Sequence, residues 1–241
     1  VLADIAGRPM IEHVCRQARL ASGVDAVVVA TDDARIVSAV ERFGGIARMT
    51  AAHRTGTDRV AEIAGQLTCE VVINVQGDEP LIRPEMIGAV AGPLLAGGDV
   101  RMSTLCRRIT DADEYRSPNV VKVVVDRSGD AMYFSRAPIP FVRDEHGGSL
   151  SPDHPPATSE APSAFKHIGI YGYRRDFLLE FAALPQTPLE RAESLEQLRA
   201  LEHGYRIRTI ETEFDSIGVD TPEDLERVRR QLERLTAGTR A

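Results

Sequence analysis

Residues 24–45 read VDAVVVATDDARIVSAVERFGG, and the way this stretch divides decides the fold class. Its first part, 24–31, is a continuous apolar run of strand length, as expected of a parallel strand covered on both faces. Its second part reads as a helix. Asp32 or Asp33 can cap its start, Ile36, Val37, Val40 and Phe43 recur at helical spacing, and Gly44 and Gly45 end it. The same alternation continues downstream. TDRVAEIAGQL (57–67) predicts a helix with Thr57 as N-cap, EVVINVQ (70–76) a strand, and PEMIGAVAGPLLAGG (84–98) a helix with Pro84 in its first turn. Strands alternating with amphipathic helices are the α/β pattern.

Beyond residue 100 the texture changes. VRMSTLCRRI, NVVKVVVD, DAMYFSRA and HIGIYGYR are strands with few helices between them, which favours antiparallel pairing. The segment 143–164, rich in Gly, Pro and Ser, has the composition of a mobile loop. The chain then returns to α/β: a helix over 188–204, a strand over 205–214, and a last helix within GVDTPEDLERVRRQLERL. There Thr221, Pro222 and Asp224 form a capping-box-like start. The expectation is a single α/β domain over 1–241, with a mixed, mostly parallel sheet flanked by helices and a smaller antiparallel β section at about 100–175.

At 241 residues and 43% hydrophobic content the chain can fill a sizeable core. It has no apolar run of membrane-spanning length, and its first residues lack the charged and apolar regions of a signal peptide, so a cytoplasmic location is expected. The three cysteines are far apart and without a C-x-x-C pair, which argues against a disulfide framework or a zinc site. A formal charge of −7 disfavours nucleic acid or an anionic membrane as partner. An anionic small ligand would need local cations or a metal.

Chemistry concentrates at the strand ends. INVQGDEPLI (73–82) stops an apolar run at two adjacent carboxylates, and in open α/β sheets ligands collect at the carboxyl ends of strands. Asp78 suits a magnesium ion, which takes one or two protein carboxylates plus substrate phosphates; a plain polar turn would account for the motif equally well. Asp220 is a second carboxylate at another junction, either a helix-end charge or a partner of Asp78 over one metal. AHRTGTDR (52–59) offers a helix N-terminus with Arg54 and Arg59 beside it, suited to anions or to ordinary capping. ATDD (30–33) is a further polar strand end. Arg136 lies in FSRAPIP, too stiff for a helix interior. His167 and Tyr171 fall on one face of a strand with Gly169 between them, and Glu193, Glu196 and Gln197 fall together on one helix face that, without context, is simply solvated.

The order and wording of these pieces together resemble the 3-deoxy-manno-octulosonate (KDO) cytidylyltransferases. The matching pieces are DIAGRPMIEHV, VVVATDD, HRTGTDR, VINVQGDEPLI, NVVKVV, YFSRAPIP, HIGIYGYR, LEQLR and GVDTPEDLERVR. The resemblance implies a glycosyltransferase-A-like nucleotidyltransferase fold, a homodimer, and the Mg²⁺-dependent reaction of CTP with KDO to CMP-KDO and diphosphate, for lipopolysaccharide synthesis. It further implies that Asp78 and Asp220 hold the metal and that Arg136 acts with them. Gln76, Arg59, His167, Tyr171, Glu196 and Gln197 would surround the sugar acid with Arg136, and Thr31, Asp32, Thr55, Gly56 and Thr57 would lie towards the nucleotide.

Family members begin with a strand and a loop of the type P-A-R-x-x-S-x-R-L-P-G-K, and this sequence opens just after that point, at VLADIAGRPM. The expectation is that the given sequence is truncated at its N-terminus. The alternatives are a cytidylyltransferase for another sugar acid, or a non-catalytic ligand-binding remnant without the triphosphate loop.

Overall fold

The computed structural model describes residues 1–141 and 164–238. The expected mobile loop at 143–164 therefore lies outside the described residues except for Ala164, which is buried.

The chain enters through an antiparallel hairpin of β1 (Asp4–Ile5) and β2 (Arg8–Pro9). Ala6 and Gly7 form its turn, both at positive φ, as a two-residue hairpin loop requires. There follow α1 (Met10–Leu20), β3 (Val28–Thr31), α2 (Ala34–Arg42), β4 (Ile46–Met49), α3 (Gly56–Gly65), β5 (Val71–Asn74) and α4 (Pro84–Leu95). The β-rich part comprises β6 (Met102–Arg108), α5 (Ala112–Arg116), β7 (Lys122–Val125), β8 (Ala131–Ser135) and β9 (Phe165–Arg174). The chain closes with α6 (Arg175–Ala183), α7 (Pro188–Glu193), α8 (Gln197–Glu202), β10 (Arg208–Glu211) and α9 (Pro222–Gly238).

The sheet is mixed and flanked by helices, as expected, but its balance differs. Among the described residues parallel pairing is confined to β3–β4 and β6–β10, while β5–β9, β6–β9, β7–β9 and β7–β8 run antiparallel. The central reason is β9. One of its edges pairs with β6; on the other, β5 takes Tyr171 to Arg174 and β7 takes Phe165 and Lys166. The sheet thus forks along β9, and residues 168–170 lie in the crotch of the fork, where the chain leaves β5. A bulge against β6 sits at the same place, with Thr104 Oγ1 within hydrogen-bond distance of the carbonyls of Ile168 and Ile170. Strand β3 is less buried than its apolar run suggests: Val28, Val29 and Ala30 are half-buried and Thr31 is buried, and among the described residues β3 pairs only with β4, in a separate two-stranded sheet.

The apolar core falls into three groups. Phe134, Tyr173, Phe177, Phe181 and Leu198 pack on one side of β9, with α3, α6 and α8. Ile11, Val14, Val40, Met86, Val90 and Leu105 pack on the other, with α1, α2 and α4. Val228 of α9 meets Ile5 and Met10 and so fastens the last helix onto the entry hairpin. Each such side chain contributes about 1.5–3 kcal/mol when fully buried. Helix α4 approaches β9 so closely at Gly172 that a Cβ there would sit 2.6 Å from Ser103 Oγ and 2.7 Å from Val90.

Two expectations for helices are corrected. The predicted helix over 188–204 is broken into α7 and α8 at Ser194, which takes a left-handed conformation (φ 53°). Helix α3 is capped by Thr55, whose hydroxyl accepts from Asp58 N at 3.1 Å, rather than by Thr57, which is buried one position inside the helix. The box at α9 is as expected, with Thr221 N donating to Asp224 Oδ2 and Asp224 N donating to Thr221 Oγ1, each at 3.2 Å.

A fully buried lysine organises the approach to β8. Lys122 Nζ donates to the carbonyls of Ser117 (2.8 Å), Val120 (2.5 Å) and Arg136 (2.6 Å), and burial lowers its pKa. Lys122→Met leaves those carbonyls without this donor, so a loss of at least about 2 kcal/mol is expected, read from urea unfolding midpoints.

Candidate active site

The chain leaves β5 through Gln76, Gly77, Asp78 and Glu79, and the segment entering α9 runs beside it. Val219 N donates to the carbonyl of Asp78 at 3.0 Å, which makes Asp78 and Asp220 neighbours across two distant parts of the sequence. Asp78 is half-buried and Asp220 exposed. Neither carboxylate has a hydrogen-bond or ion-pair partner among the described residues. A pair of unengaged hard oxygen ligands suits a magnesium ion with its remaining positions open to phosphate and water. No group of three or more His, Cys, Asp or Glu residues among the described residues is placed to hold a metal ion, so the pair would depend on substrate to complete its shell. Gln76 is half-buried at the end of β5, two residues beyond Asn74, which pairs with Tyr171.

A second group gathers at the ends of β3 and α3. Thr31 is buried, and its hydroxyl accepts from Asp33 N at 3.1 Å. Asp32 is paired with Arg59 at 2.8 Å, and this guanidinium, which also reaches Thr50 Oγ1 at 3.0 Å, lowers the Asp32 pKa. Gly56 is exposed at the start of α3, with nothing near the position a Cβ would take. Thr57 turns inward and donates to Glu196 Oε2. Burial pushes the Glu196 carboxyl upward against the opposing hydrogen bonds of Thr57 and Thr55. Its Oε1 is buried without a hydrogen-bond partner among the described residues, and Arg199 is its nearest cation at 3.6 Å. The solvated face expected for Glu193, Glu196 and Gln197 is not found. Gln197 is buried, and Glu193 accepts from Ser135 Oγ (2.6 Å) and Arg136 N (2.9 Å).

His167 and Tyr171 do share a face of β9, with ring centroids 5.4 Å apart, and Phe134 meets the other side of the imidazole edge-on at 5.0 Å. Gly169 opens towards Glu79, whose Oε1 lies 4.0 Å from where a Cβ would be. Burial depresses the His167 pKa to about 3, from an ordinary value near 6.5. The ring is thus neutral at working pH, and its Nε2 lies 3.0 Å from Thr104 Oγ1. Between pH 6.5 and 3 the unfolded chain binds a proton here that the folded chain refuses, so stability falls as pH drops through that window. His167→Gln is expected to flatten that part of the stability-against-pH profile, measured by urea unfolding at stepped pH. Burial also raises the Tyr171 pKa, so its hydroxyl stays protonated.

Arg136 is engaged rather than open. Its Nε donates to the carbonyl of Glu193 at 2.8 Å and one terminal nitrogen to that of Pro118 at 3.1 Å, and it makes no contact with Asp78 or Asp220. The structure therefore joins Asp78 with Asp220, Asp32 with Arg59, Thr57 with Glu196, and His167 with Tyr171. Sequence reasoning assigned nothing to Glu79, Ser216 or Lys122. Ser216 donates to Glu79 Oε2 at 2.7 Å, and burial raises the Glu79 pKa. No local pattern signals these partners, which come together across the fold.

A family model described as cytidylyltransferase matches residues 1–210. The 3-deoxy-manno-octulosonate cytidylyltransferase of Pelobacter propionicus is 55% identical over 232 residues, covering 96% of this chain and 90% of the relative. A solved CMP:2-keto-3-deoxy-manno-octonic acid synthetase, complexed with CTP, superposes with a TM-score of 0.86 at 43% identity, over 97% of this chain and 91% of that one. The 4-diphosphocytidyl-2C-methyl-D-erythritol synthase of Anaerococcus prevotii is similar in fold alone, at 12% identity and a TM-score of 0.61 over 95% of this chain and 88% of that one.

Proposed function

The chain belongs to the cytidylyltransferase family, and from that premise we propose that it activates 3-deoxy-D-manno-octulosonate with CTP, giving CMP-KDO and diphosphate for lipopolysaccharide synthesis. The anomeric hydroxyl of the sugar attacks the α-phosphorus of CTP, the new phosphorus–oxygen bond forms as the bond to the β-phosphate breaks, and the hydroxyl proton is lost. Two anionic reactants must be held together for this, so the principal demands on the protein are orientation and charge compensation.

The observation that supports the reading most is the backbone bond from Val219 to Asp78, which brings the segment that carries Asp220 alongside the turn that carries Asp78. Asp78 and Asp220 would hold Mg²⁺. When bound, the ion supplies charge neutralisation on phosphate oxygens and lowers the pKa of a coordinated hydroxyl. In this reading Gln76, Arg59, His167, Tyr171, Glu196, Gln197 and Arg136 surround the sugar acid. His167 does so as a neutral hydrogen-bonding ring, and Glu196 offers Oε1, which accepts no hydrogen bond among the described residues, to a sugar hydroxyl. Thr31, Asp32, Thr55, Gly56 and Thr57 face the nucleotide, where Arg59 fixes the Asp32 carboxylate.

The reading treats 1–241 as one catalytic domain whose β-rich part, about 100–175, binds sugar and forms a homodimer; Met132 and Phe141, both exposed there, support an interface. No helix among the described residues is long and apolar enough to cross a membrane, and use of CTP accords with a cytoplasmic site of action. The test is diphosphate release from CTP, KDO and Mg²⁺ by the full-length gene product. Release that depends on KDO supports the reading; CTP left intact overturns it.

A further inference from the structure

Between β10 and α9 the chain runs without regular secondary structure, and Asp220 stands at the end of that run, exposed and with no partner of its own among the described residues. Its place is set by what holds the residues on either side: the Thr221–Asp224 box opens α9 directly after it, and the residues before it are tied to other parts of the fold. Ile217 and Val219 pack on the same apolar group as Leu81, and further contacts tie the run to the segment after β5. Val219 N donates to Asp78 O at 3.0 Å, the Arg83 guanidinium lies 4.7 Å over the Phe214 ring, and Ser216 Oγ donates to Glu79 Oε2 at 2.7 Å. Asp215 is held from the other side by Lys166 (2.8 Å) and Arg107 (3.5 Å), both of which also meet Glu114.

Among the described residues, the Glu79–Ser216 bond is the hydrogen bond that joins the two segments through side chains. It begins one residue from Asp78 and ends four residues from Asp220. We propose that Glu79 and Ser216 form a clasp that sets the separation of the Asp78 and Asp220 carboxylates, so that both are positioning residues for the metal-binding pair. The proposal rests on the reading of those two aspartates given above.

Magnesium tolerates little departure from octahedral geometry, so two ligands on separate segments bind it well only if their spacing is held. Loss of a hydrogen bond that orients metal ligands typically lowers affinity or activity about 10–100-fold. Ser216→Ala and Glu79→Ala are each expected to raise the Kd for Mn²⁺, followed by electron paramagnetic resonance in the presence of CTP, by at least about tenfold. The same variants lower kcat and raise the Mg²⁺ concentration for half-maximal rate, with KM for KDO unchanged. Ser216→Thr, which keeps the hydroxyl, and Glu79→Gln, which keeps an acceptor oxygen, restore most of the affinity. The double variant Glu79→Ala/Ser216→Ala is no worse than the poorer single one, because both remove the same contact.

Wild-type-like Mn²⁺ binding in Ser216→Ala overturns the clasp. So does a loss in Glu79→Gln as large as in Glu79→Ala, which would make Glu79 a ligand itself, and so do additive losses in the double variant. Failure of the wild-type protein to bind Mn²⁺ with CTP overturns the two-aspartate reading and the clasp with it. Unfolding midpoints of Ser216→Ala and Glu79→Gln, expected to match wild type, separate lost positioning from lost folding.

Discussion

Asp78→Asn and Asp220→Asn are each expected to lower kcat for diphosphate release by about a thousandfold, corresponding to about 4 kcal/mol of transition-state stabilisation, while leaving the unfolding midpoint nearly unchanged. The two halves of that expectation have separate physical grounds. Catalysis suffers because asparagine lacks the charge that makes a carboxylate a good magnesium ligand, and the reaction concentrates negative charge at the α-phosphate. The fold does not suffer, because neither carboxylate has a partner among the described residues, and the bond that joins the two segments is made by backbone atoms, Val219 N and Asp78 O. Rates and Mg²⁺ titrations of the two variants provide the check. Wild-type turnover in either removes that residue from the metal pair.

The largest effect on stability is expected at the ion pair of Glu190 and Arg199, both buried. Arg199 Nε donates to Glu190 Oε2 at 2.8 Å, and its terminal nitrogen meets Oε1 at 2.5 Å. Glu190 also closes the capping box of α7 by accepting from Thr187 N at 3.2 Å. Arg199→Met leaves a buried carboxylate without its cation, and Glu190→Leu leaves a buried guanidinium with only the longer contact to Glu196 Oε1 at 3.6 Å. Each single change is expected to destabilise the protein by about 3–5 kcal/mol. The double variant recovers a good part of that loss, because an apolar pair avoids the desolvation of two charges. Urea unfolding of the four proteins in a double-mutant cycle reads the coupling. Arg199→Met has a second consequence: it removes the cation 3.6 Å from Glu196 Oε1, so the Glu196 pKa rises further.

The parts of the fold legible in the sequence are those set by neighbouring residues. The alternation of apolar runs and amphipathic stretches locates β3, α2, β5 and α4, and the Thr221–Asp224 box opens α9 with both of its expected bonds. What was not legible depends on partners distant in sequence. The fork of β5 and β7 along β9, which gives the site its place, arises from pairings between strands far apart along the chain. The break at Ser194 has no glycine or proline to announce it. It is accompanied by two acids that go to different neighbours, Glu193 to β8 and Glu196 to Thr57. Thr55 and Thr57 are equally good caps by residue type, and the choice falls on Thr55 in a fold where the Thr57 hydroxyl donates to Glu196.

Within the site the same division holds. Asp78 reads equally as a polar turn or a metal ligand from its own motif, and the resemblance, which pairs it with Asp220, is what favours the ligand. The bond between Glu79 and Ser216 spans 137 residues, and neither side chain advertises it in the sequence. Arg136 reads equally as ligand contact or surface charge from its surroundings in FSRAPIP; in the fold its guanidinium donates to two backbone carbonyls.

The attack itself can be read by isotope. CTP is incubated with Mg²⁺, the full-length protein and KDO carrying ¹⁸O on its anomeric hydroxyl, and the product is followed by ³¹P NMR. The expected result is a phosphodiester whose phosphorus resonance carries the ¹⁸O shift, with one diphosphate released per product, and formation of that product about a thousandfold slower with Asp78→Asn. An unshifted product, or diphosphate formed without any sugar nucleotide, would contradict the transfer.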